Sequence, residues 1–276
     1  MEILKFIQSF ANPFLDKFFL TVTVLGEEYL AMVVLLLFLW CKDKKLGYKL
    51  GLSLSFSFLI NGLIKDIVKE ARPIGKDGIR SLRAKTATGY SFPSGHTQNT
   101  ATLWTTLILH FKNKKLTVIG IIFTLLVGLS RIYLGLHWTR DVVGGLIFAI
   151  LSVFISNIIF DSIEKAKDKK IVVMLCALSI IGMSYFKSVD YAKAVGMFLG
   201  FLIGYSVENK YINLEMHKNK IKNTIRFILG LFILVVIKII LKKVPAFGEL
   251  SYVINYGIIV MWCTIGAPYA FKKLNI

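Results

Sequence analysis

Apolar positions recur along this chain in two ways. Near the N-terminus Ile3, Leu4, Phe6, Ile7, Phe10, Ala11, Phe14, Leu15, Phe18, Phe19 and Val22 fall at helical spacing, with Glu2, Lys5, Gln8, Asp16 and Lys17 between them. That pattern predicts an amphipathic helix lying in a membrane interface. Asn12-Pro13 reads as an N-cap followed by proline in the first turn, so two short helices meeting there fit better than one. Further on the runs are apolar throughout, at about 27–40, 50–64, 96–110, 116–134, 141–160, 171–186, 191–207, 225–241 and 252–271. They predict an all-α, polytopic transmembrane bundle of about nine spans behind an N-terminal interfacial amphipathic helix. The first run is short for a span. A tilted helix beginning near Glu27 is the reading adopted, and one span from Phe18 to Trp40 is the alternative. Glu27 and Glu28 cap that helix in the simpler view and face a basic site in the other.

Lysine clusters separate the runs: Lys42, Lys44, Lys45 and Lys49; Lys112, Lys114 and Lys115; Lys165, Lys167, Lys169 and Lys170; 210–226; and Lys272-Lys273. With the N-terminal helix outside, every second loop carries a dense cluster, as the preference for cytoplasmic lysine and arginine requires. The C-terminus then lies inside. The 65–93 loop is also basic but falls outside, which points to charge kept for a ligand. Composition agrees with a membrane protein. Of 276 residues 55% are hydrophobic, mean hydropathy is +0.66, and the formal charge is +18. Topology accounts for that charge, so no nucleic-acid partner is inferred. Cys41, Cys176 and Cys263 lie far apart in or beside apolar runs and read as packing residues. The N-terminus lacks the basic stretch and cleavage site of a signal peptide, so uncleaved spans are expected to direct insertion. Three parts emerge: interfacial helices at 1–26, a five-span part at 27–160 and a four-span extension at 161–276.

The predicted topology brings several ionisable groups to one membrane face. Lys65 and Arg72 follow the second span, His96 opens the third, Arg131 ends the fourth, and His137 and Asp141 open the fifth. Ionisable groups at such depth mark function. His137 and Asp141, four apart, share a helix face, so the carboxylate can hold one imidazole nitrogen and leave the other as base or nucleophile. At Ser94-Gly95-His96 a helix begins, where unpaired amides and the dipole favour an anion, and Gly95 permits close approach. Three cations beside a helix N-terminus describe a pocket for a phosphate-like group.

These residues, Lys65-x6-Arg72-Pro73, Pro93-Ser94-Gly95-His96 and Ser130-Arg131-x5-His137-x3-Asp141, are similar in identity, order and spacing to the three motifs of the type 2 phosphatidic acid phosphatase superfamily. The resemblance covers about 27–160 and is silent on the four-span extension. It implies a metal-independent phosphatase without cofactors, acting through a phosphohistidine. In that scheme His137 attacks phosphorus, Asp141 holds its other nitrogen, and His96 protonates the leaving oxygen and then activates water. Lys65, Arg72, Arg131 and the backbone at Ser94 and Gly95 bind the phosphoryl oxygens.

So little soluble mass places the substrate in the bilayer. The resemblance implies a lipid phosphatase whose substrate is undecaprenyl diphosphate, phosphatidylglycerol phosphate or phosphatidate, met at the extracytoplasmic face of a cell membrane. Small size, compact loops and the resemblance make a bacterial inner membrane the location expected. A phosphotransferase built on the same phosphoenzyme, and a phospholipid transporter or receptor, are the alternatives. The extension is left as a homodimer surface, a lipid gate or a partner site. His110 and His217 read as structural, Tyr133 and Trp138 as interface anchors. Lys69, Lys76, Arg80, Arg83 and Lys85 read as headgroup contacts or as a solvated loop. Lys242 and Lys243, predicted outside, read as a snorkelling helix end, with a second headgroup contact the alternative.

Overall fold

A computed structural model describes residues 1–166, 169–245 and 247–276; Lys167 of the third lysine cluster lies outside them. The described residues are helical and loop, with no strand. The α-helices are α1 (Glu2–Ser9), α2 (Pro13–Leu25), α3 (Glu28–Leu37), α4 (Lys44–Val68), α5 (Gly95–Phe111), α6 (Lys114–Tyr133), α7 (Thr139–Ala166), α8 (Lys169–Gly182), α9 (Val189–Val207), α10 (Lys220–Lys243), α11 (Glu249–Met261) and α12 (Ala267–Lys273). Single π-helical turns interrupt the series at Phe38–Lys42, Glu208–Ile212 and Trp262–Gly266.

Each of the nine apolar runs forms helix, but far fewer meet the length and apolarity of a membrane crossing. Among the described residues these are α4, α6, α7, α10 and the run Glu249–Lys273, with a sixth if the bent pair Pro13–Leu25 and Glu28–Lys42, 43° apart, is one span. The shortfall has a physical source. α5 has 17 residues and buries Thr97, Gln98, Asn99, Thr100, Thr102 and Thr106, so its polar face lowers its mean apolarity while pointing inward. α8 is only 14 residues long. At the N-terminus two helices do meet at Asn12, whose side chain accepts from the Leu15 amide while Pro13 opens α2. α1 buries Leu4 against Ile132 and Val142 and leaves Ile3 and Phe6 exposed.

The chain divides into two compact units. The first comprises residues 1–32 and 60–155. Its core joins Phe19 of α2 to Tyr133, Leu134 and Leu136, with Phe19 and Tyr133 ring centroids 4.4 Å apart. Tyr133, expected to anchor at an interface, is instead buried, its hydroxyl donating to Asp16. Close approach of α7 depends on Gly145, where a Cβ would sit 2.9 Å from the Ser94 carbonyl oxygen.

The second unit comprises residues 33–59 and 156–276. Here α9 lies on α11 through glycines: a Cβ at Gly196 would meet the Val253 carbonyl at 2.3 Å, and one at Gly200 the Gly257 carbonyl at 2.8 Å. Glu208, fully buried, accepts from Lys44, the Leu214 amide and the Tyr48 hydroxyl. Buried Arg226 donates to the carbonyls of Trp40, Glu215 and Ile276. The lysines that mark topology in the sequence also make ion pairs, Lys44 with Glu208, Lys45 with Glu164 and Lys49 with Asp161. α10 buries only Arg226, Gly230 and Leu234 and exposes Ile221, Ile228, Phe232, Val235 and Ile239, a surface suited to lipid.

Candidate active site

The turn between α6 and α7 sets the site. After Tyr133 the chain reverses tightly: the amides of Leu136 and His137 both donate to the Arg131 carbonyl, at 3.1 and 3.3 Å. Gly135 makes this possible with φ +66°, and a Cβ there would stand 2.2 Å from the Arg80 carbonyl oxygen. The 69–94 loop is stitched to the same turn by Leu82 N to Leu134 O and Ser81 Oγ to Gly135 O. Gln8 of α1 fixes it further, donating to the Arg80 and Tyr133 carbonyls and accepting from the Arg80 amide.

His137 is buried at the centre, and its two nitrogens face different chemistry. Nδ1 lies 3.2 Å from Asp141 Oδ2, while Nε2 lies 2.8 Å from Arg72 Nη1. A guanidinium has only donors, so Nε2 carries the lone pair and Nδ1 the proton. The ring is thereby held as the neutral tautomer. Burial, and then the charges of Arg131, Arg72 and Lys65, push its pKa well below the ordinary imidazole value. Asp141 Oδ2 also accepts from the Trp138 amide at 2.8 Å and from Ser91 Oγ, which fixes the carboxylate.

Arg72 is clamped as firmly. Its Nε donates to Gly89 O, Nη2 to the carbonyls of Thr88 and Tyr90, and Nη1 to Leu136 O besides His137. The loop thus wraps its backbone around the cation that covers Nε2 of His137.

The other expected residues gather here too. Lys65 lies in the last turn of α4 and is buried, as is Arg131, whose Nη1 donates to Thr23 Oγ1 at 2.7 Å. Ser94 precedes α5 without a side-chain cap, so the first amides of that helix are not taken up by its hydroxyl. The Ser94 amide itself donates to the Asp141 carbonyl at 2.9 Å, tying the second motif to the third. Asn61, one turn before Lys65, donates to Pro93 O and Gln98 Oε1. His96 stands within the electrostatic reach of Arg131, His137, Arg83 and Lys65.

Ser91 was not singled out from the sequence, and Glu27, Arg80, Arg83 and Trp138 were not placed among its candidate site residues. Ser91 joins the His137–Asp141 pair, and its only signal was its place two residues before Pro93. Arg83 forms an ion pair with Glu27 at 2.9 Å, so Glu27 takes the second of its two readings and faces the basic site. Arg80 is likewise paired, with both Asp16 oxygens, and its pKa is raised by that carboxylate. Trp138 donates from Nε1 to Ala71 O, holding the turn to the loop.

The family described as the PAP2 superfamily matches residues 46–165, and one described as a PAP2 superfamily phosphatase transmembrane extension matches residues 192–276. An undecaprenyl-diphosphatase of Sulfolobus acidocaldarius is 30% identical over 146 residues, 52% of this chain and 70% of the relative. Undecaprenyl-diphosphatase BcrC of Bacillus subtilis is 32% identical over 158 residues, 56% of this chain and 80% of the relative. Phosphatidylglycerophosphatase B of Bacillus subtilis is 30% identical over 120 residues, 40% of this chain and 56% of the relative.

Proposed function

The chain belongs to the PAP2 superfamily, and from that premise we propose that it is an integral-membrane lipid phosphatase working through a phosphohistidine at an extracytoplasmic membrane face. The observation that carries this reading is the opposed pair of hydrogen bonds on His137, Asp141 at Nδ1 and Arg72 at Nε2. They make the ring a neutral nucleophile aimed from Nε2 toward the cations. A binding site for phospholipid would gain nothing from a buried imidazole fixed in this tautomer.

The reaction has two halves. A lipid phosphate enters among Lys65, Arg72 and Arg131, with the amides at the start of α5 beside Ser94 and Gly95. One Arg72 N–H passes from Nε2 to a phosphoryl oxygen, freeing the lone pair. Nε2 then bonds to phosphorus as the bond to the leaving oxygen breaks, and His96 gives that oxygen its proton. In the second half His96 takes a proton from water, the water oxygen bonds to phosphorus, and the P–N bond breaks to release inorganic phosphate. The cations hold the equatorial oxygens throughout, a role magnesium has in many phosphoryl-transfer sites.

In this reading 27–160 is the catalytic part, 1–26 lies against the interface, and 161–276 is a membrane extension whose helices complete a nine-span topology in a bacterial inner membrane. The relatives name two substrate types, undecaprenyl diphosphate and phosphatidylglycerol phosphate, and phosphatidate is a third to compare. The test is phosphate release by detergent-purified protein from all three lipids with EDTA present, alongside His137→Ala. Release by the wild type and not the variant is expected. Equal release by both, or silence of a folded wild type on every lipid, overturns the proposal.

A further inference from the structure

We propose that Arg83, held by Glu27, is a specificity-determining residue that binds the departing lipid phosphate when the substrate is a diphosphate. The inference rests on the phosphatase reading above and adds a residue outside the three motifs.

Geometry places Arg83 on one side of the reaction. Its ion-pair partner Glu27 follows α2, where Gly26 comes so close to α6 that a Cβ would meet Val127 at 2.5 Å. The Glu27 carbonyl accepts from Asn99, one turn beyond His96 on α5, and Thr23, one turn before Glu27, holds Arg131. The end of α2 therefore joins the arginine of the third motif, the helix of His96 and Arg83. Arg83 is thus tied, through Glu27 and Asn99, to the helix that carries the leaving-group acid.

The fork of Arg83 is available for an anion. Its pair with Glu27 uses Nη2 alone among the described residues, and the side chain is 30% exposed. Nearby, Arg131 Nε and Asn99 Oδ1 are buried without a partner among the described residues. The backbone holds Arg83 in the left-handed region at φ +59°, a conformation costly for a long side chain and kept where the surroundings require it.

Chemistry supplies the reason for a cation there. When a lipid monophosphate is cleaved, the P–O bond to the lipid breaks and His96's proton makes the departing oxygen a neutral alcohol. When a diphosphate is cleaved at its terminal phosphorus, the bridging P–O bond breaks and the departing group is a lipid phosphate that remains anionic after protonation. Only the second leaving group needs a positive charge beside His96, and a bidentate fork suits it.

The experiment compares initial phosphate release from a prenyl diphosphate and the prenyl monophosphate of the same chain length, for wild type, Arg83→Gln, Arg83→Lys and Glu27→Gln. The readout is the ratio of the two kcat/KM values. Arg83→Gln is expected to lower that ratio at least tenfold, Arg83→Lys to restore part of it, and Glu27→Gln to keep it within about threefold of wild type, since the cation remains. A ratio unmoved by Arg83→Gln, or lowered equally by Glu27→Gln, overturns the role of Arg83 while leaving the phosphatase reading intact. A wild type silent on every lipid phosphate overturns both.

Discussion

Arg72 donates from Nη1 to His137 Nε2 across 2.8 Å, so in the proposed mechanism the cation that binds the phosphoryl group first sits on the nitrogen that attacks it. Carbonyls of Thr88, Gly89, Tyr90 and Leu136 hold the other donors and fix the plane of the guanidinium. Lysine cannot reproduce that planar fork. Arg72→Lys is expected to lower kcat by roughly 10²-fold or more, the scale of a lost transition-state donor. Phosphate release over a substrate series measures it, and a loss confined to KM would contradict it.

Acid should inhibit only well below neutrality. In the proposed mechanism the imidazole of His137 must be neutral to attack, and burial with three nearby cations keeps its pKa well under the ordinary value of about 6.5. The acid limb of kcat/KM, which reports the free enzyme, should therefore lie below that value. Lys65→Met removes one of those charges and should move the limb of its residual activity upward. Stability has the same sign. The unfolded chain takes up this proton near pH 6.5 and the folded chain does not, so His137's contribution is present above that pH and falls as the solution is acidified.

Gly135→Ala should harm both fold and activity. Its positive φ costs an L-residue about 1–2 kcal/mol, and the added methyl meets the Arg80 carbonyl. His137 lies two residues on. A fall in Tm in detergent together with weaker phosphate release is the expected outcome, and an unchanged Tm would contradict it.

In the second unit, Glu208→Ala leaves Tyr48, Lys44 and the Leu214 amide without their buried acceptor. Removing one partner of a buried ion pair costs about 3–5 kcal/mol, lowered here because Lys44 remains 21% exposed. A loss on the order of 2–3 kcal/mol is expected from thermal unfolding in detergent, and Glu208→Gln, which keeps an acceptor, should lose less.

Much of the site was readable because its groups stand at helix ends, where spacing along the chain converts directly into position in space. Lys65 ends α4, His96 opens α5, Arg131 ends α6 and Asp141 opens α7. The 69–94 loop has no such periodicity. Ser91, Arg83 and Glu27 acquire their meaning from partners 46 to 56 positions away, which no local pattern encodes. The span count was less legible for a different reason. Hydropathy counts residues and not faces, so the inward threonines, Gln98 and Asn99 of α5 weigh against crossing as heavily as if they met lipid.

Gln8 has a consequence for the tolerance of the chain to change. Its amide pairs with the main chain of residue 80 through both N–H and C=O, and also with the Tyr133 carbonyl, behaving as a detached peptide unit. What it recognises is the path of the backbone, whatever side chain residue 80 carries. Glutamate at position 8 has no donor, and asparagine falls one methylene short. An N-terminal helix whose apolar residues look interchangeable thus contains one position that a saturation mutagenesis survey should find almost unsubstitutable.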